Sequence, residues 1–282
     1  MFHGWFGYAP AGSQHPRLEV ISRQPRRDRR SPPLLFVHGA YAGAWCWDEH
    51  FLDYFAALGY ETHAVSLRGH GRSEGSESLH FHGVTDYVED VANAVAGLKR
   101  TPILIGHSMG GFVVQKYLEK HPALAAVLMA TVPPTGLGAS VVRMMTGDPM
   151  LFTQMSLMHA LGPDAVDARS AGRAVFSDNL DEHLLAAYSR RMQAESQRAL
   201  MEMTFGNTPQ PMGMRQLPML VVGAEDDALF STADMEATAT AFGAELQMVP
   251  DMAHAMMLER DWERAAAPIA EWLATRADSV HG

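Results

Sequence analysis

Three short apolar runs constrain this chain more than any other feature: "PLLFVHG" at 33–39, "PILIG" at 102–106 and "PMLVVG" at 218–223. Each is apolar at successive positions rather than at alternate ones, and each stops at glycine. A strand with one wet face alternates apolar and polar residues. A strand covered on both faces does not need to. Further strands are predicted at 18–22, 60–69, 124–134 and 245–250. Between them, apolar residues recur at spacings of three and four, which predicts helices over 48–58, 85–98 (with Thr85 as N-cap), 109–121, 232–242 and 261–275. Strands alternating with helices imply a mostly parallel central sheet with helices on both faces, an α/β fold.

The alternation breaks near Thr135 and resumes near Leu217. The intervening residues carry helical patterns, "DPMLFTQMSLMHALGP" and "DEHLLAAYSRRMQAESQRALMEMT". Leu151, Met155 and Met158 share one face, and Leu185, Tyr188 and Met192 another. The expected organisation is an α/β core over 1–134 and 217–282, interrupted by a helical cap, or lid, over 135–216.

Composition excludes several function classes. The formal net charge is -10, and an acidic surface repels phosphate backbones, so nucleic acid is not an expected partner. The one basic run, Arg26–Arg30, reads as a solvated hairpin loop. Cys46 is the single cysteine, so no intramolecular disulfide can form, which fits a reducing, cytoplasmic setting. Its apolar neighbours predict a buried structural thiol. The first residues lack the pattern of a secretory signal, and no apolar run approaches the ~18 residues needed for a membrane span. "HFH" at 80–82 has no companion cluster at ligand spacing, and no phosphate-binding glycine motif is present. Neither a metal nor a cofactor is expected.

"GHSMGG" at 106–111 follows the second buried run directly. A nucleophilic serine must stand clear of the backbone so that a carbonyl carbon can reach its oxygen. A sharp strand-to-helix turn achieves this, and its close packing demands small residues two before and two after. Gly106, Ser108 and Gly110 meet this G-x-S-x-G requirement, between a buried strand and a helix.

With this motif in this context, the chain over residues 18–275 resembles the serine-type α/β-hydrolases, enzymes of esterase and lipase type with a helical cap. The resemblance implies a catalytic order of serine, acid, histidine. It places the acid three residues after the Gly of "PMLVVG", at Asp226, with Glu225 and Asp227 as rivals in "GAEDDALF". The closing segment "VPDMAHAMMLERDWERAAAPIAEWL" is similar to that of the family, and His254 is its only histidine. The resemblance also assigns the oxyanion hole to two backbone N–H groups, of Met109 after the nucleophile and of Ala40 after His38-Gly39. His38 and, in "RGHGRS" at 68–73, His70 are expected to be structural.

The serine disfavours the chemistry of related dehalogenases and epoxide hydrolases, which carry aspartate at this position. The expected function is cleavage of small hydrophobic carboxylic esters through an acyl-enzyme. The loop "HGAYAGAWCW" resembles that of plant methylesterases and hydroxynitrile lyases, in keeping with such substrates. The same machinery serves carbon–carbon bond hydrolysis and lactone, thioester or amide cleavage. A binding protein that has kept the fold is a further alternative, but such relatives usually lose a triad member.

Overall fold

The computed structural model describes residues 4–6, 16–25, 32–214 and 216–277. The Arg26–Arg30 run, predicted as a solvated loop, lies outside the described residues, as does His281. The strands are β1 (Gly4–Phe6), β2 (Glu19–Arg23), β3 (Leu34–Val37), β4 (Thr62–Val65), β5 (Ile103–His107), β6 (Ala125–Met129), β7 (Met219–Ala224) and β8 (Glu245–Val249). They form one sheet in the order β1-β2-β4-β3-β5-β6-β7-β8. The β1–β2 and β2–β4 pairs are antiparallel and the other pairs parallel. The mostly parallel sheet is the one the apolar runs predict. Leu34–Val37, Ile103–His107 and Met219–Ala224 are buried at every position.

The helices are α1 (Trp45–Asp48), α2 (Phe51–Ala57), α3 (Val84–Ala96), α4 (Met109–Tyr117), α5 (Gly138–Gly147), α6 (Pro149–Leu161), α7 (Ala168–Arg173), α8 (Glu182–Ser189), α9 (Gln197–Phe205), α10 (Thr232–Phe242) and α11 (Glu263–Ala277). Two apolar clusters form the core, one on each face of the sheet. One gathers Phe36, Trp47, Phe51 and Ile269, the other Leu35, Tyr87, Phe112 and Phe242.

Three local expectations are corrected. The helix predicted over 48–58 is two short helices with a break at Glu49–His50. Helix α3 begins at Val84, not after Thr85: the Asp86 carboxylate accepts the Gly83 N–H at 2.7 Å and closes the first turn from inside the helix. The pattern over 181–204 is α8 and α9 with an irregular link at 190–196. There the Gln193 N–H donates to the Tyr41 carbonyl at 3.0 Å rather than to a helical partner, and Ser196 caps α9 by accepting from Ala199 N–H.

The chain leaves β3 toward β4 on one side, and later leaves β5 toward β6 on the other. The carboxyl ends of β3 and β5 therefore flank the point where the winding reverses, where open α/β sheets bind ligands. Val37 pairs with Gly106, so the segments 38–40 and 107–109 emerge side by side. Helices α5–α9 lie between β6 and β7 in the chain.

Candidate active site

Ser108 stands between β5 and α4, as the N-cap residue of α4, at φ 53° and ψ -119°. An L-residue at such angles costs on the order of 1–3 kcal/mol, and the surroundings must hold it there. They do so closely. The Ser108 N–H donates to the Met129 carbonyl at 3.0 Å, and its own carbonyl accepts from Phe112 and Val132. A β-carbon on Gly110 would lie 2.4 Å from the carbonyl oxygens of Val37 and His38, and one on Gly106 would lie 2.5 Å from the Gly110 carbonyl. Glycine two before and two after the serine is thus a packing requirement here, as the sequence motif predicts. Helix α4 is wedged against the end of β3, with Phe112, Val113, Val114 and Tyr117 all buried.

The loop after β3 reaches the serine. A β-carbon on Gly39 would stand 3.0 Å from Ser108 Cβ, so Ala40 follows immediately beside the serine. Met109 is the first residue of α4, where N–H groups have no partner within the helix and the positive end of the helix dipole lies. Ser108, Met109, Ala40 and His254 line one cavity of about 370 Å³.

His254 is buried, and its Nδ1 is 2.8 Å from Oδ2 of Asp227. The carboxylate that faces the histidine is thus that of Asp227, one residue after the expected Asp226. The physical reason lies in how β7 ends. The strand runs on to Ala224, and pairing continues beyond it: Glu225 N–H donates to the Val249 carbonyl and Asp226 N–H to the Met252 carbonyl. Residues 225 and 226 also form a turn, closed by Asp227 N–H on the Ala224 carbonyl at 3.4 Å, which leaves the Asp226 side chain exposed. Asp227 Oδ1 accepts from Leu229 N–H at 2.8 Å and Phe230 N–H at 3.1 Å, which pins the carboxylate with its other oxygen toward His254. The missed signal is this Asx turn. An aspartate followed by "ALF" at a strand end is placed to cap the turn with its own side chain.

Three other histidines surround the site as structure. His38 Nδ1–H donates to the Gly39 carbonyl at 2.8 Å, and Nε2 accepts from Leu67 N–H at 3.0 Å. Burial, with His70 nearby, pushes its pKa down to about 3. It is a neutral brace for the loop, as expected from sequence. His107 Nε2–H donates to the His254 carbonyl at 2.9 Å, tying the end of β5 to the loop that carries His254. Burial and the facing His254 hold His107 well below the usual imidazole range. His70 is fully buried: Nδ1 donates to the Arg68 carbonyl, and Nε2 lies 3.0 Å from Glu195. Burial opposes its charge, but the Glu195 carboxylate prevails and raises it.

A pH dependence of stability follows. His38 and His107 have folded values below the unfolded value of 6.5, so the stability they contribute is present above pH 6.5 and is lost as pH falls. His70 has the opposite sign: its contribution is complete below 6.5 and is lost as pH rises through its folded value. Urea midpoints should fall steadily from pH 6.5 toward pH 5, with a shallower slope in His38→Asn. An equal slope in the variant would show that His38 is not neutral in the folded state.

The cavity wall is apolar. Helix α5 supplies Val141 and Met144, α6 supplies Phe152, Met155 and Met158, and α9 supplies Met203. Cys46 also lines it. Its thiol is buried, as the sequence predicts, and burial pushes its pKa up. Among the described residues no helix is long and apolar enough to cross a membrane.

With this geometry in place, comparison with known proteins is decisive for the family. Residues 34–267 match the model described as the alpha/beta hydrolase family. The chain belongs to that family. A monoacylglycerol lipase from Mycolicibacterium smegmatis is 26% identical over 274 residues, covering 89% of this chain and 90% of the relative. A pyrethroid hydrolase from Sphingobium wenxiniae is 27% identical over 212 residues, covering 71% and 72%. Among solved structures, a carboxylesterase from Bacillus subtilis superposes with a TM-score of 0.72 at 18% identity, covering 97% of this chain and 92% of that one. That likeness is one of fold. The sheet order and the turn at Ser108 are thus features of an α/β-hydrolase.

Proposed function

We propose that this α/β-hydrolase cleaves carboxylic esters of hydrophobic small molecules, with Ser108 as nucleophile, His254 as general base and acid, and Asp227 as the group that orients the histidine. The observation that carries the reading is His254, backed by Asp227, lining the same apolar cavity as the strained serine turn. In this mechanism His254 takes the Ser108 proton as the oxygen attacks the ester carbonyl, then returns it to the leaving alcohol. Water, activated by the same histidine, hydrolyses the acyl-enzyme. The N–H groups of Ala40 and Met109 receive the oxyanion of each tetrahedral intermediate. No step calls for a metal or cofactor. The names of the relatives, a monoacylglycerol lipase and a pyrethroid hydrolase, support ester chemistry on apolar substrates.

The 135–216 insertion acts as the cap that sets substrate choice. Its apolar helix faces contribute to the cavity wall, while Ser108, His254 and Asp227 lie outside it. A panel of p-nitrophenyl esters of graded chain length, beside a lactone and a ring-cleavage dienoate, tests both parts. Esters with apolar acyl groups should turn over fastest. Met144→Gln, Met155→Gln and Met158→Gln should raise KM and shift the chain-length preference, with little loss of kcat on a short ester. Three unchanged profiles with lowered melting temperatures would reduce these methionines to packing.

A further inference from the structure

We propose that Glu195, a residue of the inserted segment, is a positioning residue for the oxyanion loop: its buried carboxylate fixes the backbone of Tyr41 and thereby aims the adjacent N–H of Ala40. The inference rests on the serine-hydrolase reading above, since it assigns a role within that reaction.

Glu195 lies in the irregular link between α8 and α9, and its side chain is fully buried. A buried carboxylate is costly unless its oxygens are all engaged. Oε1 accepts from the Tyr87 hydroxyl at 2.8 Å and from Ser196 N–H at 2.6 Å. Oε2 faces His70 Nε2 at 3.0 Å and accepts from Tyr41 N–H at 3.3 Å. Two of these partners are packing or local contacts. The other two tie it to the loops after β4 and β3, and the loop after β3 is the one that borders Ser108.

Tyr41 is the residue after the proposed oxyanion donor, and its φ is 63°, a conformation that residues with a β-carbon rarely adopt. Both of its backbone polar groups are held by the link. Its N–H donates to Glu195, and its carbonyl accepts from Gln193 N–H at 3.0 Å. The Gln193 side chain in turn accepts from Gly71 N–H and donates to the Gly69 carbonyl, both at 2.7 Å, and Ser196 Oγ donates to the His82 carbonyl. The link is therefore stitched to the core at several points, and the buried carboxylate reaches the strained residue beside Ala40. An oxyanion donor works only if it is aimed beforehand, so whatever holds Tyr41 in this conformation contributes to the rate and not to substrate affinity.

Glu195→Gln tests this with little change of shape. The amide nitrogen can donate to a neutral His70 through Nε2, while His70 Nδ1 keeps its bond to Arg68. Tyr41 N–H is then the group that loses its acceptor. Tyr87→Phe is the milder second variant, and it frees one lone pair on Oε1 without touching the loop. The readout is the binding of a trifluoromethyl ketone, which forms a hemiketal oxyanion on Ser108, relative to that of the matched methyl ketone, together with kcat and KM on one p-nitrophenyl ester.

Glu195→Gln should weaken the trifluoromethyl ketone and lower kcat by about 10-fold or more, short of the ~10²–10³ that follows removal of a whole donor. The methyl ketone and KM should change little. Tyr87→Phe should move the same ratio in the same direction by about 2- to 5-fold, and it decides the matter if the first variant does not fold. A ratio equal to wild type in the folded variants overturns the proposal, as does a parallel loss of both ketones. Failure of the wild-type protein to bind the trifluoromethyl ketone covalently at Ser108 would instead overturn the serine-hydrolase reading beneath it.

Discussion

Ser108→Ala is expected to abolish ester turnover, a loss on the order of 10⁶ in kcat, while leaving the fold and the binding of unreactive ester analogues in place. Removing the hydroxyl takes away the only atom that bonds to substrate. His254 and Asp227 then have nothing to activate, and what remains is the weaker catalysis of a binding cavity with oriented N–H groups. The turn itself should survive, because Ser108 is held by its backbone bonds to Met129, Phe112 and Val132 and not by its side chain. Steady-state rates on the best ester of the panel, with a melting curve as control, measure both effects. A variant with more than a hundredth of wild-type activity would require a nucleophile elsewhere.

The second large effect concerns two adjacent acids. Asp227→Asn should lower kcat by about 10⁴, the scale seen when a triad carboxylate becomes an amide, and Asp226→Asn should stay close to wild type. An asparagine at 227 cannot serve all the partners of the carboxylate. If its oxygen keeps the N–H groups of Leu229 and Phe230, its amide nitrogen turns toward His254 and donates to Nδ1, imposing the tautomer that cannot take a proton from serine. Asp226 is exposed and takes part in the structure through its backbone bond to Met252. Parallel kinetics of the two variants decide between the register of the structure and the register expected from the sequence.

That one-residue difference shows where sequence reading stops. Leu34–Val37 and Ile103–His107 were legible because strands buried on both faces are apolar throughout, and the motif around Ser108 because close packing at Gly106 and Gly110 admits no side chain. The histidine that faces Asp227 was legible because the closing segment holds no other. Its carboxylate partner was not, because three carboxylates stand in a row and the choice depends on where β7 stops pairing with the chain after β8. Counted from Ala224, where the strand ends, Asp227 stands third. Thr85 failed as a helix cap for a similar reason, since Asp86 caps from within. Glu195 was invisible for a different one. In "RRMQAESQRAL" it reads as one polar position of a solvated helix, and its partners Tyr41, His70 and Tyr87 are more than a hundred residues earlier. Local patterns record burial and backbone geometry, whereas a buried charge is explained only by partners that the fold brings from elsewhere in the chain.

The central claim is that Ser108 is a covalent nucleophile activated by His254. The most direct measurement is reaction of the folded protein with a fluorophosphonate, followed by peptide mass mapping. The account predicts one adduct per chain, on Ser108, forming rapidly in the wild type and not at all in Ser108→Ala, and slowed by His254→Ala. An adduct on another residue, or a folded, ester-cleaving protein that takes up no label, would contradict it.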